Sequence, residues 1–435
     1  MPQRITTTIR RTIENVVVFG VVLAGFSGLL LSDTPVYADD TTIFVAVGSD
    51  TTQDVINQFS LDLGANTLGS WDATNQLTQA AHEVITPAKE GRNADGTPNP
   101  LAAPENCSFD RPNGSDEGLA DLEWWLNPRP AVVVPGGANP PQQGCVDIAR
   151  SAGGPAASGQ QSPAGQLLYI PFALDTVTGA TGSSAGMIMI PGTCTVSTPA
   201  SNVQGADFTL IQLQALYAHG TPETASNGVT YNPAGGPTAL QPGQVAIDLY
   251  VPQPGSATRD FWASTLGFST TTLPAWVFDH IQSDNNDTVS QFVGDQVQEN
   301  DGTAVTVDPN GYMPFSVAQY IGQGNGHNPR LHQAVLATVN SVAPVVSGAL
   351  NTSFPITREV YNVVLADRVV NTGDGHFDSQ LAKLLAGGSS VLCRDSATVT
   401  AYGFDLAAEL LAAQKDFAVT LATTLTPDKT AGKTA

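Results

Sequence analysis

Thr42-Ile-Phe-Val-Ala-Val-Gly-Ser-Asp-Thr-Thr-Gln-Asp54 is the stretch on which the reading of the fold turns. Its first six residues form a short apolar run rich in β-formers, the pattern of a buried strand. Gly48-Ser49-Asp50 breaks the run, and Val55, Ile56, Phe59 and Leu63 then fall on one helical face. Asp50 is the expected N-cap and Gly64 the expected C′ glycine. The unit is strand, Gly-Ser turn, helix, which is the beginning of an α/β layer.

The same grammar returns twice. Gly114-Ser115-Asp116 precedes Leu119, Leu122 and Leu126 at helical spacing, and Gly255-Ser256 follows a strand pattern over Gln244–Val251 and precedes Phe261, Trp262 and Leu266. A helix start leaves backbone N–H groups without partners and carries partial positive charge. Glycine lets an anion approach the backbone, and Ser or Thr hydroxyls donate from the side. Three such starts meeting at one point form a cradle for a tetrahedral oxyanion. The plainer reading is that Ser and Asp are common N-caps; each instance taken singly fits it. Further strands are expected at Ala131–Val134 and Leu167–Phe172, and loops at 88–106 and 151–163.

Outside these units the chain reads as exported. Arg4, Arg10 and Arg11 precede an unbroken apolar and small-residue run, Val16–Leu31, and Thr34-Pro-Val-Tyr-Ala38 offers small residues for cleavage after Ala38. That is the pattern of a secretory signal peptide over 1–38, the alternative being an N-terminal membrane anchor. With no cysteine before Cys107, a lipid anchor on a processed N-terminal cysteine is not expected. Removing 1–38 leaves 14 basic and 37 acidic side chains, a net charge of −23. A surface so acidic repels nucleic acid and anionic membranes, and any anion site must rely on short-range dipoles and local cations. Four cysteines in an oxidising compartment suggest two disulfides in one of three pairings. Cys107–Cys145 with Cys194–Cys393 is favoured, because the first two flank one Pro- and Gly-rich excursion.

Gly182-Ser183-Ser184-Ala185-Gly186 fits the nucleophile turn of serine hydrolases. Such a serine stands between a buried strand and a helix. Here the preceding Thr176–Thr181 is polar and the next segment, Met187–Ile190, reads as a strand, so no catalytic residue is assigned. The six histidines show no zinc spacing, and Ser283–Asp287 lacks the glycine and terminal glutamate of a calcium loop. No metal and no cofactor are expected.

Seven segments in order resemble those of phosphate-binding-type extracellular solute receptors, in a branch common in high-GC Gram-positive bacteria. They are Val47–Asp54, Arg111–Ser115, Asp147–Ser151, Tyr169–Asp175, Pro254–Arg259, Met313–Val317 and Phe354–Val363. The resemblance spans most of 41–405 and implies a type 2 periplasmic-binding-protein-like α/β fold, two-lobed, with two crossover strands. It places one lobe at 39–174 plus 353–435, the second at 175–352, and the hinge near Tyr169–Leu174 and Tyr361–Leu365. The ligand positions it implies are Thr51, with Thr52 beside it, Ser115, and Ser256, Ala257 and Thr258; Asp50, Arg150, Ser151 and Arg259 complete the expected set. Two family ligands are missing: the arginine falls on Pro252 and the proton-accepting aspartate near Ala152, so the cation is expected to have moved to Arg150 or Arg259. The implied function is a non-enzymatic, monomeric receptor for a small oxyanion, phosphate first, serving a membrane ABC transporter. The competing class is a secreted structural or adhesive protein with a degenerate site.

Overall fold

The computed structural model describes residues 44–64, 67–75, 78, 80–89, 105–123, 139–141, 144–155, 167–183, 186–188, 196–198, 200–283, 290–370, 377–385 and 390–406. The signal peptide over 1–38, the strand expected at 131–134, most of the loop over 88–106, and the Cys194–Cys393 bridge lie outside what is described.

The fold is a mixed α/β arrangement around one long sheet. Its strands are β1 (Phe44–Gly48), β2 (Leu68–Ser70), β3 (Ile148–Ser151), β4 (Leu167–Thr181), β5 (Glu223–Thr224), β6 (Thr230–Pro233), β7 (Val245–Tyr250), β8 (Gly311–Ser316) and β9 (Thr357–Leu365). Their order across the sheet is β5-β6-β7-β8-β4-β9-β3-β1-β2, with two short strands branching from β7 and β4. β1 pairs parallel with β2 and β3, and β7 pairs parallel with β6 and β8. Each end of the sheet is thus a small parallel α/β layer. Helices Gln53–Leu63 (α1) and Ser115–Glu123 (α2) serve the first, and Leu210–His219 (α3) and Ala257–Leu266 (α4) the second.

Two long antiparallel strands join the ends. β4 runs beside β9 from Leu167 to Thr176 and then beside β8 from Val177 to Thr181. β9 also pairs with β3, opposing Asn362 to Arg150. β4 and β9 thus cross between the two ends of the sheet, the pair of crossover strands that the resemblance implied. β4 is longer than its apolar pattern indicates, because Thr176, Thr178 and Thr181 are all buried within the strand. The reading of Thr176–Thr181 as too polar for a buried strand is corrected. Thr178 satisfies its hydroxyl by donating to the Ala337 carbonyl at 2.8 Å, and Gly179 leaves the space that the Tyr312 ring fills. Gly186–Ile188 is a strand, as expected, so no helix follows the serine turn.

Separate apolar cores lie along the sheet. Phe44, Val55, Ile56 and Phe59 anchor one on the β1 side, which also takes in Ala152, Ala257 and the Val317–Gly324 helix (α5) through Val317, Ala318 and Ile321. Leu213, Leu216, Tyr217, Trp262 and Tyr312 anchor another on the β7 side. Cys107–Cys145 is formed, as expected, and closes a separation of 38 residues. No helix among the described residues is long and apolar enough to cross a membrane.

Candidate functional site

All three Gly-Ser turns open helices, and all three glycines have a left-handed φ: 109° at Gly48, 121° at Gly114 and 86° at Gly255. An added Cβ at Gly114 would stand 2.3 Å from the Gly255 carbonyl oxygen, so two of the turns touch backbone to backbone. That approach is sealed by the Asp116 N–H, which donates to the Gly255 carbonyl at 3.2 Å. The recurrence in the sequence therefore reflects one place where three chain segments come together.

The first and third helix starts meet on a single atom. The Thr51 hydroxyl donates to Glu299 Oε1 at 2.7 Å, and the Thr258 hydroxyl donates to the same oxygen at 2.5 Å. Thr51, Thr258 and Glu299 are all buried. Two hydroxyls from opposite ends of the sheet thus hold one carboxylate oxygen, an oxyanion supplied by the chain. Glu299 Oε2 is buried and has no hydrogen-bond partner among the described residues. Burial pushes the Glu299 carboxyl up, with Asp50 adding to it, against the opposing pull of Arg358 and the two threonines.

Other expected ligands surround this point without reaching it. Ser256 caps α4, its hydroxyl accepting from Arg259 N–H. Ser115 begins α2, and its hydroxyl accepts the Ala152 N–H at 3.1 Å. Thr52 is buried with its hydroxyl unpartnered among the described residues. Ser151 turns to the Gly153 carbonyl at 2.8 Å. Ala257 and Ala152, the positions where the resemblance led to the expectation of a glycine and an aspartate, lie in the same apolar core.

Three expectations are corrected. Asp50 is not an N-cap: the helix cap is Thr52. The Asp50 carboxylate instead pairs with Arg330 at 2.7 and 3.2 Å and accepts the Asn300 amide at 3.0 Å. Arg150 is not the relocated cation. Its guanidinium donates to the carbonyls of Ala46, Gly48, Ser49 and Trp71 and to the Ser70 hydroxyl, which uses all five N–H groups. It clips β1 to the segment after β2, and burial lowers its pKa to about 10. Arg259 is committed to Asp279 and to the carbonyls of Pro252 and Thr270.

The cation beside the cradle is Arg358 on β9. It grips Asp175 Oδ2 through Nε at 3.0 Å and Nη2 at 2.9 Å, and Nη2 also reaches the Thr51 hydroxyl at 3.3 Å. Its Nη1 is buried and unpartnered among the described residues, and the guanidinium lies 5.6 Å above the Phe261 ring. Arg358 and Asp175 sit inside segments that carry the family resemblance, so position could have flagged them. Glu299, Asn300 and Arg330 sit in no motif.

Around this centre the field is acidic. Asp116 is pushed up to about 7 by burial and by Asp260, Glu117 and Glu299. Asp54 is also pushed up to about 7 by burial, partly offset by Arg330, with Asp72 and Asp50 adding to the rise. Burial alone would lower Arg330, but Asp50 and Asp54 raise it on balance.

No protein-family profile matches this chain, and no curated protein does. Among solved structures the chain is similar to an ABC-type phosphate transport receptor from Vibrio cholerae, with 10% identity over 84% of this chain and 99% of that one, at a TM-score of 0.41. It is also similar to a phosphate-binding protein from Stenotrophomonas maltophilia, with 12% identity over 86% and 93% and a TM-score of 0.36. A third likeness is to the Corynebacterium glutamicum OxyR C206 mutant, with 12% identity over 90% and 76% and a TM-score of 0.33. The finer placement in a high-GC Gram-positive branch has no support in these likenesses.

Proposed function

We propose that this chain is a secreted, non-enzymatic solute-binding protein that closes over a small oxyanion, phosphate first, and serves a membrane ABC transporter as a monomer. The observation that carries the reading is the pair of hydroxyls, Thr51 and Thr258, donating from opposite ends of the sheet to one carboxylate oxygen. Hydroxyls so placed recognise an oxyanion, and hydrogen bonds to a charged acceptor are the stronger class. In this reading 39–174 with 353–435 forms one lobe and 175–352 the other. β4 and β9 flex between them as a hinge. Opening separates Thr51 from Thr258, and closing on the anion expels water and strengthens each bond to the charge. Arg358 supplies the local cation that an otherwise acidic surface lacks.

The test is thermal unfolding of the ligand-stripped protein against phosphate, sulfate, arsenate and chloride. A ligand at 100 times its dissociation constant adds about 2.7 kcal/mol, a shift of a few degrees. A shift with phosphate and arsenate and none with chloride is the expected result. No shift with any of the four would turn the reading to a structural or adhesive protein on this scaffold.

A further inference from the structure

Glu299 is the least expected member of the site, since an oxyanion cradle is filled by a side chain of its own charge type. We infer that the Glu299 carboxylate is a resident oxyanion, holding the seat that an external anion takes, and that the ligand enters by displacing it. The inference rests on the reading of the cradle as an oxyanion site.

The seat of Glu299 is built. Its N–H is held by Gln253 Oε1 at 2.8 Å. The next residue, Asn300, is a buried non-glycine in the left-handed region, with φ 54°. Every hydrogen-bonding group of the Asn300 side chain is engaged: its amide donates to Asp50 Oδ1 at 3.0 Å and Thr51 Oγ1 at 3.1 Å, and its oxygen accepts the Ser316 N–H at 3.1 Å. Its carbonyl accepts from Gln323 at 2.9 Å. Asparagine takes this conformation more readily than other non-glycine residues, and its hydrogen-bond partners fix it there. Here they aim the preceding side chain between Thr51 and Thr258.

The occupancy is nonetheless incomplete. Glu299 Oε2 and Arg358 Nη1 are both buried without partners among the described residues, an acceptor and a donor left over in groups that bond Thr51. Buried polar groups are nearly always paired, so these two mark a site whose polar complement is not filled by Glu299 alone. Two like charges cannot share a dry cradle at low cost. An arriving oxyanion therefore competes with a tethered one, whose effective concentration is set by a short, rigid loop. Ala152 and Ala257 lie in an adjoining apolar core, which offers no polar group to share the charge.

The experiment is calorimetric titration of the wild-type protein and Glu299→Ala with inorganic phosphate and, separately, with formate, at one pH and ionic strength. Glu299→Ala is expected to bind phosphate at least tenfold more tightly and to gain a formate site that the wild type lacks, since formate restores the missing carboxylate. Weaker phosphate binding by Glu299→Ala would overturn the inference and make Glu299 an acceptor for a proton of the ligand. Unchanged behaviour with both anions would overturn it as well. Formate binding by the variant alone, with phosphate bound by neither protein, would uphold the resident carboxylate and reject the phosphate-receptor reading. Should Glu299→Ala fail to fold, Glu299→Gln keeps an oxygen for the two threonines without the charge. Phosphate must then bind more tightly than to the wild type, and equal affinity would count against displacement.

Discussion

Two buried clusters of charge, built from similar parts, behave differently. Around Asp147, behind β1 and β3, one carboxylate oxygen accepts the Val45 N–H at 2.8 Å and faces Lys89 at 2.7 Å, while the other accepts from Arg368 at 2.5 Å. Arg368 continues to Asp378 at 2.9 Å, and Lys89 also donates to the Gly144 carbonyl. Both Asp147 oxygens are engaged. Around Glu299 the same kinds of group leave Glu299 Oε2, Arg358 Nη1, Thr52 Oγ1 and Ser49 Oγ buried and unpartnered among the described residues. A completed network fixes a scaffold, whereas an incomplete one of equal burial has capacity for a ligand. The difference lies in what each carboxylate has left to bind, and not in how deeply it is buried.

The comparison can be broken first at Asp147. Asp147→Ala removes the acceptor that Lys89 and Arg368 share, and breaking a buried pair costs about 3–5 kcal/mol. Denaturant unfolding should register that loss, while oxyanion affinity in protein that remains folded stays at the wild-type value. An affinity loss as large as the stability loss would erase the distinction between the two clusters.

Thr51→Ala should show the opposite signature. Removing one hydroxyl from the cradle weakens oxyanion binding by about 1.5–3 kcal/mol, the range for a bond to a charged group. Equilibrium binding read beside a melting curve separates the two effects, and unchanged affinity would remove Thr51 from the site.

A third prediction uses pH. The folded-state pKa of Asp116 lies near 7, above the ordinary carboxylate value. Between those two values the folded chain binds more protons at this group than the unfolded chain, so its contribution to stability is lost as pH rises through that window. Asp116→Asn should therefore gain steadily on the wild type as pH rises from about 4 to about 7. Parallel stability curves would show that Asp116 is not crowded by Asp260 and Glu299. The smallest effect is expected at Ser256→Ala, where loss of the α4 cap costs about 1 kcal/mol of stability. The change in anion affinity should be smaller than for Thr51→Ala, because the Ser256 hydroxyl faces its own helix.

Much of the fold was legible because it is local. Gly48, Gly114 and Gly255 mark turns that need a positive φ, and the apolar spacing behind each is helical, so α1, α2 and α4 each follow a turn the sequence marks, although α1 is capped at Thr52 and not at Asp50. The run Leu167–Phe172 announced β4, but its second half did not read as strand, since the buried Thr178 there takes its partner, the Ala337 carbonyl, from 159 residues away. The cradle was half legible for the same reason. Thr51 and Thr258 follow from the turn grammar and the family resemblance. Glu299 reaches Thr51 across 248 residues from a loop with no motif, and Asp50 leaves its capping role for Arg330 across 280 residues. Arg150 misled because an arginine near a cradle suggests an anion partner. The carbonyls that absorb it lie along β1 and just past β2, and Arg150 meets them through the pairing of β1 with both β2 and β3.

The measurement that bears most directly on the central claim is equilibrium dialysis of phosphate against the ligand-stripped wild type and the Thr51→Ala/Thr258→Ala double variant. The expected result is one saturable phosphate per chain in the wild type and none at the same concentrations in the double variant. Equal binding by both proteins would contradict the assignment of the cradle to Thr51 and Thr258, and binding by neither would contradict its role as a phosphate site.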